Sequence, residues 1–429
     1  MAVTVTGTMG GIKRLGLSGL AVLALALLVG GLAGNPARAQ DGAGGANGSD
    51  EAETRMRFLR IGTGSTGGTY FPIGGLIANV ISHPPGSRPC DKGGSCGVPG
   101  LIAVAQSTAG AVANVDAIAT HTLDLGLAQA DVAYWAYHGT GIYGDKGAVA
   151  DLRAIAMLFP EALHVVVRAD SDIQGIGDLA GKAVSVGEDG SGTQVDARII
   201  LAAHGLTEAD LEPHFLRPGP SADRLARGEL DAFFFVAAPP VDTVTQLARH
   251  TPVRLLPVGG EVARQVNESF PFLRPGRIPD SAYEGVPGVD TLTVGAVLVA
   301  SASMDEDLAY GIARALWHPN QRALFERGHP AAGMMNIVDA TQGLGIPLHA
   351  GAARYYFEQG GAEGVPPVAR PTSDSPPVDP GAPAPLPDLP ADGLPTVVAD
   401  PAPKPAPKPA PKSKAAPKAA PTESGNASQ

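Results

Sequence analysis

The chain has 429 residues and a formal net charge of −11, from 42 acidic and 31 basic side chains. This length is enough for two domains with additional tails. The acidic balance argues against binding nucleic acid or an anionic membrane surface through bulk charge, so a bound anion must be held by local donors.

The N-terminal segment has the order of a secretory signal. Two basic residues precede an apolar segment at residues 15–32, and Ala-Arg-Ala follows at residues 37–39. We expect residues 1–39 to be a signal peptide cleaved after Ala39, with a membrane anchor as the alternative. Residues 40–56 are expected to form a flexible leader.

The first strong pattern is a strand, a glycine loop and a helix within residues 58–82. Apolar Phe58, Leu59 and Ile61 predict a strand, four glycines follow within seven residues, and apolar side chains then recur at helical spacing from Ile73. Glycines let the backbone approach a ligand closely, and free N–H groups at a helix start favour an anion. The pattern therefore predicts half of a site for a small carboxylate.

The same loop spells Gly62-x-Gly64-x-x-Gly67, which matches the dinucleotide-binding fingerprint. That fingerprint expects an acidic residue about 20 positions further on, and the first acid after the loop is Asp91. The export signal also argues against a nicotinamide enzyme. We therefore favour the carboxylate site and expect no cofactor.

Cys90 and Cys96 are the only cysteines. In an oxidising compartment a pair so close in sequence predicts a disulfide, whereas a metal site would need more ligands than two cysteines without a nearby histidine. Gly93-x-Ser95-x-Gly97 has the spelling of a nucleophile elbow, but no apolar strand leads into it. An exported hydrolase stays an alternative; we expect no enzyme, no catalytic residue and no metal.

The rest of the globular region alternates strands and helices, which is typical of an α/β fold with parallel sheets. Strands are predicted at residues 101–106, 123–128, 152–159, 163–167, 183–186, 231–236, 253–258 and 291–300. Helices are predicted at residues 108–119, from about residue 131, and at 193–204, 221–227, 241–247, 305–316 and 350–359. A second strand, glycine loop and helix lies at residues 183–204, with the hydroxyls of Ser191 and Thr193 at the helix start.

From residue 365 the sequence consists largely of Pro, Ala, Asp and Lys and ends in PAPKPAPKPAPKSKAAPKAAP before its last eight residues. Such a composition cannot build a packed core. Residues 365–429 are therefore expected to form a disordered tail. A spacer is the first interpretation, and contact of its lysines with an anionic envelope polymer is the alternative.

Six stretches, in this order, resemble the TAXI family of solute receptors of TRAP (tripartite ATP-independent periplasmic) transporters. They are IGTGSTGGTYFPIGG, CDKGGSCGVPGLIAVAQSTAGAVANV, LDLGLAQADVAYWAYHGTG, GEDGSGT, LDAFFFVAAPPVDTV and PLHAGAARYYFEQG. The resemblance runs from about residue 58 to 360 and does not include the tail.

This resemblance implies a two-lobed periplasmic binding protein of the type II kind, α/β, with parallel-rich sheets flanked by helices and a hinge between the lobes. Lobe I would contain residues 57–162 and 289–364, and lobe II residues 163–288. We place the first hinge crossing near residues 159–163 and the return between residues 257 and 292.

The resemblance also implies a periplasmic, monomeric receptor that passes glutamate, glutamine or a 2-oxoglutarate-like dicarboxylate to TRAP membrane subunits, or else reports to a sensor protein. The expected ligand-binding residues are Thr63, Gly67, Gly68, Thr69, Tyr70, Ser107, Gln129, Asp131, Ser191, Gly192, Thr193, Phe235 and Pro239. Asp131 would either meet an α-amino group or act as an ordinary helix N-cap, and Phe235 would line the cleft or pack in the core. His349, Arg354 and Tyr355 match the family's late motif. The two roles open to them are lining the cleft and packing the hinge.

Overall fold

The structure, a computed structural model, describes residues 56–360. The predicted signal peptide, the leader up to residue 55 and the predicted tail lie outside the described residues. No helix of the described part is both long and apolar enough to span a membrane.

Twelve strands are formed in the described chain. They are β1 (Arg57–Gly62), β2 (Ser82–His83), β3 (Val98–Pro99), β4 (Leu101–Gln106), β5 (Leu125–Gln129), β6 (Leu152–Arg168), β7 (Ala183–Ser185), β8 (Glu212–His214), β9 (Ala232–Ala237), β10 (Val253–Leu255), β11 (Arg274–Ile278) and β12 (Val289–Ser301).

Eleven α-helices lie between and after these strands in the same residues. They are α1 (Tyr70–Ile81), α2 (Ala111–Ala119), α3 (Ala130–His138), α4 (Gly192–Ala203), α5 (Pro218–Ala226), α6 (Asp242–His250), α7 (Gly260–Ser269), α8 (Glu306–Leu316), α9 (Arg322–Gly328), α10 (Pro330–Met334) and α11 (Ala350–Gln359).

Ten of the strands form one mixed sheet in the order β4-β1-β5-β12-β6-β9-β7-β8, with β10 and β11 added beside β6 and β12. The group β4-β1-β5 is parallel, and so is the group β8-β7-β9, whereas β6 and β12 run antiparallel to their neighbours. The predicted α/β fold with parallel-rich strands flanked by helices is confirmed. The antiparallel part of the sheet lies at its centre, where the two long strands β6 and β12 pair with each other and with their neighbours.

Each parallel group has its own helices, and we call β1, β4, β5 with α1–α3 the first half and β7–β9 with α4–α6 the second half. β6 belongs to both halves. Its first part pairs with β12 from Leu152 to Ala162, and its second part pairs with β9 from Ala162 to Val167. The first lobe boundary predicted from the resemblance, between residues 162 and 163, falls in this strand, and the second, between residues 288 and 289, falls at the start of β12. Both boundaries stay predictions.

β6 is one strand of 17 residues, not the two runs predicted from the sequence. Pro160 lies within it opposite Gly295, close to a register shift between Ala296 and Val297. Proline has no N–H to donate to a ladder, and bulges are where a sheet tolerates it. Apolar side chains fill both faces of the strand, as expected for a central strand covered on both sides.

Helix α3 is the most deeply buried helix of the first half. Trp135 and Tyr134 on it are each 1% exposed. Their rings pack against Phe270 at 6.0 Å and Phe272 at 4.8 Å, which belong to the segment that leads from α7 into β11. Replacing a core aromatic of this kind with alanine costs about 3–5 kcal/mol. This contact fixes the returning chain against the first half.

Candidate functional site

A cavity of about 60 Å³ lies between the two halves. This volume lies below the ~300–1,000 Å³ of most ligand pockets, so it excludes a peptide or a polymer. The first half contributes Gly64, Ser65, Gly68, Thr69, Tyr70, Ala109, Gly110, Ala111 and Gln129, β6 contributes Glu161, and the second half contributes Gly187, Glu188, Ser191, Gly192, Thr193, Leu216, Pro218, Phe234, Phe235 and Val236.

The cavity lies where the topology predicts a site. In an open α/β sheet, ligands bind outside the carboxyl ends of the strands, since the loops there end at helix starts. The loops that follow β1, β4 and β5 all reach the cavity from one side. Those that follow β7 and β8 reach it from the other. The two predicted glycine loops therefore face each other.

Four helices of eight or more residues begin at residues that line this cavity: α1 at Tyr70, α2 at Ala111, α4 at Gly192 and α5 at Pro218. The first backbone N–H groups of a helix have no partner within the helix and attract anions. Ser191 caps α4 because its Oγ accepts a hydrogen bond of 3.2 Å from the N–H of Gln194. Within the described chain, the N–H groups of Gly192 and Thr193 have no hydrogen-bond partner, so they can bind an acceptor in the cavity.

Eight of the thirteen predicted ligand-binding residues line the cavity. They are Gly68, Thr69, Tyr70, Gln129, Ser191, Gly192, Thr193 and Phe235. The Phe235 ring is 6% exposed and lies 3.4 Å from the position that a Cβ on Gly68 would take, so it forms a wall between the halves. The Thr193 hydroxyl also accepts a hydrogen bond of 3.1 Å from the N–H of Val236, which ties α4 to β9.

The other five lie outside the lining: Thr63, Gly67, Ser107, Asp131 and Pro239. Thr63 and Ser107 hold the first glycine loop, since their hydroxyls donate to the carbonyls of Gln106 and Gly64 at 2.6 and 2.9 Å. The carbonyl of Gly67 accepts a hydrogen bond of 2.8 Å from Thr243 of the second half. Pro239 precedes a cis peptide bond to Pro240. As ligand contacts these residues stay predictions.

Asp131 has a different partner from either of the two predicted for it. Helix α3 begins at Ala130 with Gln129 as its N-cap, so the N-cap interpretation of Asp131 is wrong. Its carboxyl lies beside the carboxyl of Asp196 on α4, and both of its oxygens lack a hydrogen-bond partner unless one of the two acids is protonated. The Gln129 amide Nε2 donates to Asp196 Oδ2 at 2.6 Å. Both aspartates are buried, at 0% and 2% exposure.

This pair of carboxyls holds a proton near neutral pH. Burial raises the pKa of Asp131 to about 6. Burial, together with the adjacent Asp131 carboxyl, raises the pKa of Asp196 well above its usual range. Two carboxyls at one buried site cannot both ionise without a cation beside them, and no cation is among the groups that shift either pKa.

Glu161 lines the cavity and was not predicted from the sequence. It lies on β6 at the predicted hinge crossing, is 3% exposed, and accepts a hydrogen bond of 2.7 Å from the Tyr70 hydroxyl. Burial raises the pKa of Glu161 to about 8, and the Asp131 charge adds to the effect. The sequence signal is a single acid inside the long apolar run MLFPEALHVVV.

Several hydrogen bonds join the two halves around the cavity. The Thr69 hydroxyl accepts a bond of 3.1 Å from the N–H of Ala238, and the N–H of Ala113 donates to the carbonyl of Gly190 at 3.1 Å. With the bonds from Thr243 to Gly67 and from Gln129 to Asp196, they hold the halves in contact.

The late motif lies away from the cavity. His349 is the N-cap of α11, where its Nδ1 accepts a bond of 3.2 Å from the N–H of Gly351. Arg354 forms ion pairs with Glu306 and Asp307 at the start of α8. These residues, with Tyr355, join α11 to α8 and are not part of the lining.

The predicted disulfide between Cys90 and Cys96 is present. His318 lies beside it, with Nε2 3.7 Å from the Cys90 sulfur, but the two sulfurs are bonded to each other and offer no thiolate to a metal. Ser95 donates its hydroxyl hydrogen to the carbonyl of Ser82, and the nearby His83 ring contacts the Ser95 carbonyl instead of its hydroxyl.

Solved structures of similar chains are described as binding proteins for several solutes. The alkanesulfonate-binding protein SsuA from Xanthomonas axonopodis pv. citri, bound to MOPS, is 18% identical, with 70% of this chain and 83% of that chain covered and a TM-score of 0.39. PhnD1 from Prochlorococcus marinus (MIT 9301), in complex with methylphosphonate, is 12% identical, with 63% and 89% covered and a TM-score of 0.39. The substrate-binding protein of an amino acid ABC transporter is 14% identical, with 63% and 95% covered and a TM-score of 0.36. At these identities and TM-scores, the likenesses carry no argument about the ligand of this chain.

The match to a family model is more extensive. Residues 61–360, which include both glycine loops, both long strands and every residue that lines the cavity, match the model of the NMT1-like family. This is most of the chain and nearly all of its described part. The chain therefore belongs to the NMT1-like family.

Proposed function

We propose that this protein is a periplasmic solute-binding protein that holds a small carboxylate between its two halves and passes it to a TRAP-type membrane permease. The single observation that carries the proposal is the cavity into which the starts of α1, α2 and α4 open from both halves. A carboxylate in this position would accept hydrogen bonds from backbone N–H groups and would lie at the positive ends of three helix dipoles.

The composition of the lining supports a small and polar solute. Backbone groups and hydroxyls of Ser65, Thr69, Ser191 and Thr193 surround the space, while Phe235 supplies an apolar wall. A cavity with a few polar groups in fixed positions is typical of small-molecule binding. We propose glutamate, glutamine and 2-oxoglutarate as the first candidates, as the resemblance to TAXI receptors implies.

The other parts of the proposal rest on the sequence. The signal-like N-terminus supports export to the periplasm, and the TAXI resemblance supports a TRAP permease as the partner. We further propose that the protein acts as a monomer and that residues 57–162 and 289–364 form one lobe and residues 163–288 the other. A ligand-binding module for a sensor protein is the alternative to a transport receptor.

Thermal unfolding of ligand-free protein with dicarboxylates, 2-oxo acids and amino acids tests the binding proposal. A ligand at 100 times its dissociation constant stabilises the folded protein by about 2.7 kcal/mol. We expect at least one small carboxylate to raise the melting temperature, and calorimetric titration should then give one site per chain. No response to any carboxylate would contradict the proposal.

Uptake assays separate the two partner classes. If genes for TRAP membrane subunits lie beside the gene of this protein, we expect the solute-loaded protein to drive solute uptake into liposomes that contain those subunits. The control is the protein with Gly192→Ala, which should bind and deliver less. Genes for a sensor kinase in that position, without membrane subunits, would favour the sensor module.

A further inference from the structure

Glu161 is the acid of the lining that has no basic partner. The other acid that lines the cavity, Glu188, forms an ion pair with Arg217 at 2.9 Å. Glu161 accepts one hydrogen bond, from Tyr70 to its Oε2, and no second bond to its carboxyl exists within residues 56–360. The Glu161 side chain is only 3% exposed, and it borders the cavity. Its second carboxyl oxygen is therefore available to a solute.

The cavity offers many hydrogen-bond donors and one carboxyl without a basic partner, that of Glu161. None of the residues that line it in the described chain is Lys, Arg or His. The helix starts can satisfy a carboxylate of the solute, but among the residues that the structure describes only Tyr70 hydrogen-bonds the carboxyl of Glu161. A buried carboxyl must be neutral or meet a cation, because an unpaired buried charge is costly. Without a cation beside it, the Glu161 carboxyl is largely protonated at pH 7, because burial raises its pKa to about 8.

We propose that Glu161 receives the ammonium group of the solute, so that this protein selects an α-amino acid over the matching 2-oxo acid or an unsubstituted dicarboxylic acid. This inference rests on the proposed function, because it adds a second recognition point to the same cavity. On binding, the Glu161 carboxyl loses its proton to solvent and its carboxylate accepts a hydrogen bond from the ammonium. The ammonium keeps all its protons, so the complex forms with release of one proton.

The groups packed around Glu161 leave this role to it alone. Tyr70 on α1 keeps its proton, because burial and the neighbouring Glu161 raise its pKa well above its usual range. Asp131 on α3 and Asp196 on α4 hold a proton between them and do not line the cavity. Glu188 has Arg217. A solute carboxylate next to Glu161 would lie near the negative charge that the Asp131–Asp196 pair keeps, with no cation beside it, and like charges disfavour that position.

A matched screen tests the choice of ligand. Protein freed of bound solute by unfolding and refolding is heated with each of the twenty common L-amino acids, each matching 2-oxo acid, succinate and glutarate at equal concentration. We expect at least one amino acid to raise the melting temperature, with no comparable rise from its 2-oxo acid. The amino acid with the largest effect then serves as the probe.

Proton release gives a readout that simple affinity does not. Calorimetric titration with the probe at pH 7, in two buffers with different heats of ionisation, should show close to one proton released per bound solute. The affinity should rise about tenfold per pH unit between pH 6 and 7, because each step makes the Glu161 proton tenfold easier to displace.

Glu161→Gln keeps the shape of the side chain and cannot become an anion. We expect it to abolish the proton release and the rise of affinity with pH, and to weaken binding of the probe at pH 7.5 by at least tenfold. Glu212→Gln, on the exposed edge strand β8, is the matched control and should leave all three unchanged. If Glu161→Gln does not fold, Tyr70→Phe replaces it: loss of the donor to Glu161 should shift the affinity profile to higher pH.

The outcomes separate this inference from the proposed function. If a 2-oxo acid or a dicarboxylic acid binds as tightly as the amino acid, the ammonium role is wrong and the carboxylate receptor stands. If an amino acid binds without proton release and Glu161→Gln binds it as tightly, the role of Glu161 is likewise wrong. If no acid of any of the three classes binds, both proposals fall.

Discussion

The carboxyl of Asp131 on α3 lies beside the carboxyl of Asp196 on α4, so two buried acids meet at the contact between the two halves of the protein. The Gln129 amide completes the group by donating to Asp196. A proton between the two carboxyls replaces the salt bridge that a contact of this kind would otherwise need. The halves are thus joined by a bond that depends on protonation.

We expect Asp196→Ala to destabilise the protein by about 1–3 kcal/mol, because the buried Gln129 amide and Asp131 would both lose their partner. Asp196→Asn is the matched control, since its amide fits the same space and can donate to Asp131. Denaturant unfolding at pH 7 measures both. Equal loss in the two variants would mean that packing, not hydrogen bonding, matters at this position.

The free energy of unfolding should fall as pH rises from 7 to 8. Glu161 has a raised pKa of about 8 and holds its proton in the folded state, whereas the unfolded chain releases it above about pH 4. The stability that comes from this proton is therefore lost as pH rises towards 8, with a slope of up to about 1.4 kcal/mol per pH unit for one proton.

The pH range in which this fall is measured must lie above pH 6.5. Burial lowers the pKa of His164 to about 4, so its contribution increases with pH between about 4 and 6.5 and opposes the acids there. Denaturant unfolding at pH 7.0, 7.5 and 8.0 measures the slope of the free energy of unfolding against pH. Glu161→Gln should make this slope shallower by the contribution of about one proton. A stability that is constant from pH 7 to 8 in both proteins would contradict the raised pKa.

Gly192→Ala should weaken solute binding by about 1.5–3 kcal/mol, the range for a lost hydrogen bond to a charged group. A Cβ at this position would overlap the Gln129 amide oxygen. The amide would then have to break its hydrogen bond to Asp196, and the start of α4 would shift. Calorimetric titration measures the loss. Gly75→Ala on α1 is the control: a Cβ there meets nothing within 4 Å, so binding should not change and stability should rise by up to about 1 kcal/mol.

Thr193→Ala should lower both stability and affinity. The Thr193 hydroxyl accepts a hydrogen bond from the N–H of Val236, and its loss leaves a buried donor unpaired at a cost of about 1–3 kcal/mol. Thr193→Ser keeps the hydroxyl and should behave nearly as the wild type in thermal unfolding and titration. If Thr193→Ala keeps full affinity, the residue holds α4 to β9 and does not touch the solute.

The regular elements could be predicted well where one signal dominates. The strand Leu101–Gln106 and the helix Ala350–Gln359 have the predicted bounds, because apolar spacing and flanking residues agree there. β6 was divided into two because Pro160 and Glu161 interrupt its apolar run. Only the pairing with β12 and its register shift explains why a proline fits at that point.

The two glycine loops could be predicted as halves of one cavity, but not which of their residues face it. Gly67 and Gly68 are adjacent, yet Gly68 lines the cavity and Gly67 contacts Thr243 of the second half. Which way a loop residue faces depends on its backbone angles, and glycine can adopt many more of these than other residues. The partner of Asp131 was equally hidden, because Asp196 lies 65 positions further along the chain, on a helix of the other half.

The buried acids give this protein an internal spectroscopic probe. A protonated carboxyl and a carboxylate absorb infrared light at different frequencies, and an unperturbed exposed acid is ionised at neutral pH. The protonated signal at pH 7 should thus arise largely from Glu161 and from the Asp131–Asp196 pair. Binding at Glu161 and separation of the halves would change different components of that signal, so both events could be timed in unlabelled protein.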